Sequence, residues 1–148
     1  EIRDGPSPRP GESMIRKMIM VLGMCVSLSV GPTFAEDFTL QSAPPVVVKS
    51  LPESGTQAVP VTTKEIRVVF SKPMKLGTWS WAMVSKESFP ALTGKPRFLD
   101  DGKTCILPVK LEAGKTYSVL VNTQKLTGFQ DEAGTPAMPY LIIFETAK

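Results

Sequence analysis

Histidine is absent from this chain of 148 residues, and that one absence removes whole classes of chemistry. Serine–histidine and cysteine–histidine nucleophiles, imidazole general bases and every histidine-containing zinc site are excluded. Cysteine is nearly as scarce: Cys25 lies in an N-terminal apolar run, and only Cys105 stands beyond it. A lone cysteine makes no intrachain disulfide, so a domain built around Cys105 relies on its apolar core. The longest apolar stretch, Met18 to Val30, falls short of the ~20 residues a helix needs to cross a hydrocarbon core. Charge of one sign is not concentrated either, since 17 basic and 14 acidic residues are spread along the chain and leave +3. Nothing in that pattern calls for nucleic acid or an anionic membrane. A long amphipathic helical repeat is missing as well. What the chain does have in quantity is proline and glycine, 14 and 11, the punctuation of many turns between short strands.

The N-terminus divides into two texts. Residues 1–13 carry Pro6, Pro8 and Pro10 among charges and hold too little apolar surface to form a core; they read as a disordered upstream extension. From Met14 the character changes. Arg16 and Lys17 supply a positive start, Met18 to Val30 an apolar run, and Thr33 and Ala35 small residues at −3 and −1 of a cut before Glu36. Residues 14–35 are therefore predicted to be a cleaved secretory signal peptide, which places the remainder in the periplasm or outside the cell without a membrane span. Cys25 has Leu22 and Gly23 before it as a lipid acceptor would, yet Met24 occupies the position that needs a small residue. It reads as a small apolar residue within the signal. Residues 36–44 form a short polar leader, and 45–148 the folded domain.

Within that domain the most ordered stretch is Lys64 to Met74. Ile66, Val68 and Phe70 alternate with Glu65, Arg67 and Ser71, the period-2 signature of a half-buried strand, which Pro73 closes. Val46 to Val48 predicts a first strand, Val59 to Thr63 a short edge segment, and Thr78 to Val84 a strand with Trp79, Trp81 and Met83 on one face. Residues 85–96 read as a loop. Arg97 to Leu99 and Thr104 to Leu111 flank Asp100-Asp101-Gly102-Lys103, a hairpin signal of the type I′ kind. Thr116 to Val121 turns Tyr117, Val119 and Val121 inward. Tyr140 to Phe144 is nearly all apolar, which predicts a strand covered on both faces or an edge packed at an interface. About seven short strands joined by turn signals predict an all-β antiparallel sandwich.

Five pieces in order strengthen that reading: P-P-V-V-V at 44–48, P-E-S-G at 52–55, I-R-V-V-F-S-K-P-M at 66–74, L-E-A-G-K-T-Y at 111–117 and D-E-A-G-T-P at 131–136. Together they resemble the bacterial Ig-like domain of the S-layer type, the SbsA Ig-like domain, over Pro44 to Thr146. The resemblance implies an Ig-like antiparallel two-sheet sandwich of Greek-key type in a secreted or surface protein. Two departures stand out. Thr135 takes the place of a usual asparagine, and the W-S-W segment with the loop to Pro96 lies outside the general pattern.

That segment holds the candidate binding residues. Trp79 and Trp81 are the only tryptophans, with Phe89, Lys86 and Lys95 nearby. On an outer face the two indoles would stack against sugar rings or anchor a partner protein; alternatively one or both fill the core, as a strand tryptophan does in many Ig-like sandwiches. Asp100 and Asp101 read as solvated turn residues, not a catalytic pair. Asp131 and Glu132 beside Gly134 supply too few oxygens for calcium, so no metal or cofactor is expected. Cys105, inward on its strand, reads as an inert thiol. The expectation is an exported, non-catalytic module with structural or protein-interaction roles, its partner an envelope or surface protein. Carbohydrate or peptidoglycan binding through Trp79, Trp81 and Phe89 is the alternative, and a small hydrolase using acidic residues alone a distant second.

Overall fold

The computed structural model describes residue 39 and residues 41–148. The expected extension 1–13, the signal peptide 14–35 with its Cys25, and leader residues 36–38 and 40 lie outside the described residues.

Among the described residues eight strands follow one another: β1 (Val47–Leu51), β2 (Glu65–Phe70), β3 (Trp81–Met83), β4 (Ala91–Leu92), β5 (Arg97–Phe98), β6 (Thr104–Lys110), β7 (Thr116–Val121) and β8 (Tyr140–Glu145). One sheet runs β1-β2-β6-β4, with β5 also on β6, and the other runs β3-β7-β8. Every strand pairing is antiparallel. This is the A-B-E-D sheet over C-F-G sheet of a constant-type Ig sandwich, the Greek key that the resemblance implies. The strand count is one higher than expected because the segment read as a loop contains β4.

Alternation decides what each sheet buries. On β2 the residues Ile66, Val68 and Phe70 are buried while Arg67 is exposed. They meet Cys105, Leu107 and Val109 of β6, and Tyr117, Val119 and Val121 of β7 with Ile142 and Phe144 of β8, in one continuous core. Each such side chain contributes about 1.5–3 kcal/mol by leaving water. Tyr117 also carries a polar tip: its hydroxyl accepts the Glu112 N–H at 2.8 Å. That bond folds the L-E-A-G-K-T-Y turn back on strand β7, the tyrosine corner of Ig-like sandwiches, with Gly114 at φ 61° inside it.

Proline explains two irregularities. Pro108 sits mid-strand in β6, a central strand, where a missing N–H would break a ladder. The neighbouring edge is interrupted at that point. β4 pairs Leu92 with Val109, the Thr93 N–H still donates to Pro108 O at 3.1 Å, and β5 pairs Arg97 with Ile106 after residues 94–96. Likewise Val59 to Thr63 is not a strand. Pro60 cannot donate, its carbonyl accepts the Thr63 N–H at 3.0 Å to close a turn, and Val59 alone bridges to Thr146.

Two local expectations need correction. The Asp100–Lys103 connection is not type I′, because among its residues only Gly102 has a positive φ, 64°. Gly102 N–H closes on Leu99 O at 3.0 Å, and the Asp101 carboxylate accepts the N–H groups of Lys103 and Thr104. The side chain supplies what a second left-handed residue would otherwise provide. Strand β8 is not covered on both faces: Ile142 and Phe144 are buried, but Leu141 and Ile143 remain 44% and 41% exposed. Its edge, however, is closed. Gly55 N–H donates to Ile143 O, Glu145 N–H to Thr56 O and Val59 N–H to Glu145 O, so the chain leaving β1 crosses to the second sheet and removes an open edge.

Candidate functional site

The segment between β2 and β3 is pinned at both ends and exposed in the middle. Met74 is buried and Lys75 N–H donates to Gln130 O at 2.8 Å. Gly77, at φ 79°, then turns the chain and leaves Leu76 outside. Ser80 anchors the far end: its carbonyl accepts the Asn122 N–H at 3.0 Å and its hydroxyl the Gly128 N–H at 2.8 Å. Gly128 packs against the Trp79 carbonyl so closely that a Cβ there would overlap it. Trp79 thus has a fixed backbone and an outward side chain.

The two tryptophans part company here. Trp81 enters β3 opposite Val121, on the inner face. Its ring meets Phe129 edge-on at 5.3 Å and 85°, and Phe129 in turn lies 5.1 Å from Phe70 and 6.2 Å from Phe98. Trp79 precedes the strand and is 36% exposed. Leu76, Trp79, Pro96, Arg97, Phe98 and Asp100 line a surface depression of about 500 Å³ around it. Phe89 packs half-buried against the core and does not line this depression, nor do Lys86 and Lys95. Trp79, Trp81 and Phe89 therefore do not form one outer platform. The reason is periodicity: Trp79 lies outside the strand, so its spacing of two from Trp81 does not put both on one face.

The carboxylates are committed to turns. The Thr104 hydroxyl bond, then the N–H bonds from Thr104 and Lys103, hold the Asp101 carboxyl below its usual range. Burial works to raise Asp131, but the Thr135 N–H and the Lys72 ammonium, 3.1 Å away, overcome it and leave the group below the usual carboxylate range. Lys72 therefore stands beside the oxygens that a cation would need. Among the described residues no three acidic or cysteine side chains converge on a metal position. Burial pushes the Cys105 thiol up to about 12, against a smaller opposing pull from the Trp81 indole. A thiol so raised is not a nucleophile at neutral pH.

Two residues that organise this pole carry no signal in the composition. Phe129 sits at the centre of the aromatic cluster, and Asn122 is fully buried at φ 56°. The Asn122 side chain donates to Phe129 O and Ala137 O and accepts the Phe129 N–H, stapling the loop that carries Gly128. The one available hint was asparagine directly after a strand, where a left-handed residue is common.

The strand order, tyrosine corner and core define an Ig-like module. The family model of the bacterial Ig-like domain matches residues 41–146, and the chain belongs to that family. A search of curated proteins finds no match. Seven solved chains match in structure. They include the S-layer protein rSbsC(31-844), at 21% identity over 72% of this chain with a TM-score of 0.45. Another is the N-terminal part of the bacterial S-layer protein SbsC, at 20% identity over 73% of this chain with a TM-score of 0.47. This chain spans 14% and 24% of the lengths of those two.

Proposed function

We propose that this domain is a non-catalytic binding module of an exported envelope protein and that it engages an envelope or surface protein through the depression at Trp79. The observation that carries the reading is the divergence of the two indoles: Trp81 packs partly buried against the core, while Trp79 is fixed at its backbone and left outside in a depression that Phe98 also lines. An exposed aromatic on a rigid support loses little entropy on binding, which is the property of an interface anchor. The acidic residues favour binding over hydrolysis as well, because Asp101 and Asp131 are engaged in turn hydrogen bonds and held as carboxylates. A general acid needs the opposite shift. Export through residues 14–35 and a location in the periplasm or outside the cell belong to the same proposal.

A second reading, glycan binding at the same place, is favoured by the Arg97 and Asp100 side chains beside the indole, since a stacking ring with flanking charged groups suits a sugar. The test is Trp79→Ala beside Trp81→Ala. Trp79→Ala is expected to keep the melting temperature within a few degrees and to lose cross-linking to its envelope partner or binding of peptidoglycan fragments. Trp81→Ala is expected to lose about 3–5 kcal/mol of stability. Undiminished binding of every partner by folded Trp79→Ala would overturn the proposal.

A further inference from the structure

The outward face of the β1-β2-β6-β4 sheet carries an uneven charge. Registry places Leu51, Arg67, Ile106 and Arg97 in one cross-strand row. Lys49 lies in the next row, opposite Val69, and Lys110 stands opposite Ala91. These four cations share a face with Glu65, which pairs with Arg67 on its own strand, while Glu53 lies at the Leu51 and Arg67 end and Asp100 beside Arg97. Lys49, Arg97 and Lys110 make no ion pair among the described residues.

Ile106 shows how the arginines are held. It points outward from β6, yet it is only 2% exposed, and its cross-strand neighbours on both sides are Arg67 and Arg97. Long basic side chains cover apolar surface with their stems while their heads stay in water. The backbones of Arg67 and Arg97 stand two strand spacings, ~10 Å, apart with Ile106 between them. Lys49 and Lys110 extend the array along the strands by about 20 Å in all. A flat array of this kind fits an extended polymer with repeated negative charge better than a compact ligand.

Arg97 belongs both to this array and to the lining of the Trp79 depression. A surface that offers an indole to a sugar ring and a guanidinium to a carboxylate side by side matches a carboxylate-bearing polysaccharide, because Arg presents a planar fork that fits a carboxylate. We infer that the outward β1-β2-β6 face, with Arg97 at its junction to the Trp79 depression, binds an acidic, uronate-type polysaccharide. The sugar part of this inference rests on the glycan reading above; the charge part rests on the sheet face alone.

Affinity electrophoresis of the purified chain through gels containing polygalacturonate, dextran or duplex DNA tests it. Wild type is expected to be retarded by polygalacturonate and much less by dextran or DNA, with retardation falling at least tenfold between 50 and 300 mM salt as the charges are screened. The triple change Lys49→Gln, Arg97→Gln and Lys110→Gln, which removes no core group, is expected to weaken polygalacturonate binding at least tenfold with an unchanged melting temperature. Wild-type retardation by polygalacturonate in that variant would overturn the inference, as would duplex DNA binding equally well. If Trp79→Ala alone abolishes dextran and polygalacturonate binding and the triple variant changes neither, the glycan reading stands and the acidic-polymer inference falls. If the triple variant loses polygalacturonate and Trp79→Ala loses nothing, the face binds the polymer without the depression, and the glycan reading of Trp79 falls instead.

Discussion

Replacing Asn122 with alanine tests the idea that one buried amide holds the pole on which Trp79 sits. Its nitrogen donates to Phe129 O and Ala137 O at 2.9 Å each, and its oxygen accepts the Phe129 N–H at 3.0 Å. Phe129 O would keep its bond from the Ala137 N–H. The Phe129 N–H and the Ala137 carbonyl would lose their partners inside the protein, at about 1–3 kcal/mol each. Alanine at φ 56° adds about 1–2 kcal/mol of backbone strain. The expected loss is about 3–8 kcal/mol, a large share of the roughly 5–15 kcal/mol that a domain has. In urea, with a slope of about 1.5 kcal/mol/M, the midpoint should fall by about 2–5 M. Asn122→Gly removes the same hydrogen bonds without the strain and should lie about 1 kcal/mol above Asn122→Ala. A loss below about 1 kcal/mol for Asn122→Ala would refute the reasoning, since it would mean that the loop keeps its place without the amide.

Two further predictions concern the same pole. Gly128→Ala should destabilise by about 2 kcal/mol or more, because the new Cβ would lie 2.7 Å from the Trp79 carbonyl carbon and 2.8 Å from Ser80 Oγ, atoms that cannot both retreat; an unchanged denaturation midpoint would contradict the close approach. Asp131, whose folded-state pKa is lowered, contributes stability that is present above the unfolded carboxylate value of about 3.9 and is lost as pH falls through the lower folded value. Thermal melts from pH 7 to pH 2 should therefore show a steeper loss below about pH 4 in wild type than in Asp131→Asn, and parallel curves would remove Asp131 from the account.

The strands were legible because their faces are unequal. Ile66, Val68 and Phe70, or Tyr117, Val119 and Val121, alternate with polar residues, and a one-residue slip would expose the whole apolar set. Where a residue works through its backbone or through a distant partner, that guide fails. β4 has two exposed residues and no alternation to betray it, and Leu141 and Ile143 look buried in the sequence although their side of β8 faces outward. Trp79 and Trp81 are two apart, yet the strand begins only at Trp81, so spacing could not say that one indole would be core and the other surface. The basic face is invisible in the same way, for Lys49, Arg67, Arg97 and Lys110 come from four strands and meet only through registry.

Residue order alone settled the absence of imidazole chemistry, the lack of an intradomain disulfide and the two-sheet sandwich, because these follow from residue types and from a period that needs no knowledge of distant partners. Which tryptophan reaches the surface, what Asn122 and Asp131 hold, and which cations lie side by side were decided by tertiary structure. They depend on contacts between residues far apart in the chain, where the free energy of a hydrogen bond or an ion pair exists only after the two sheets have closed.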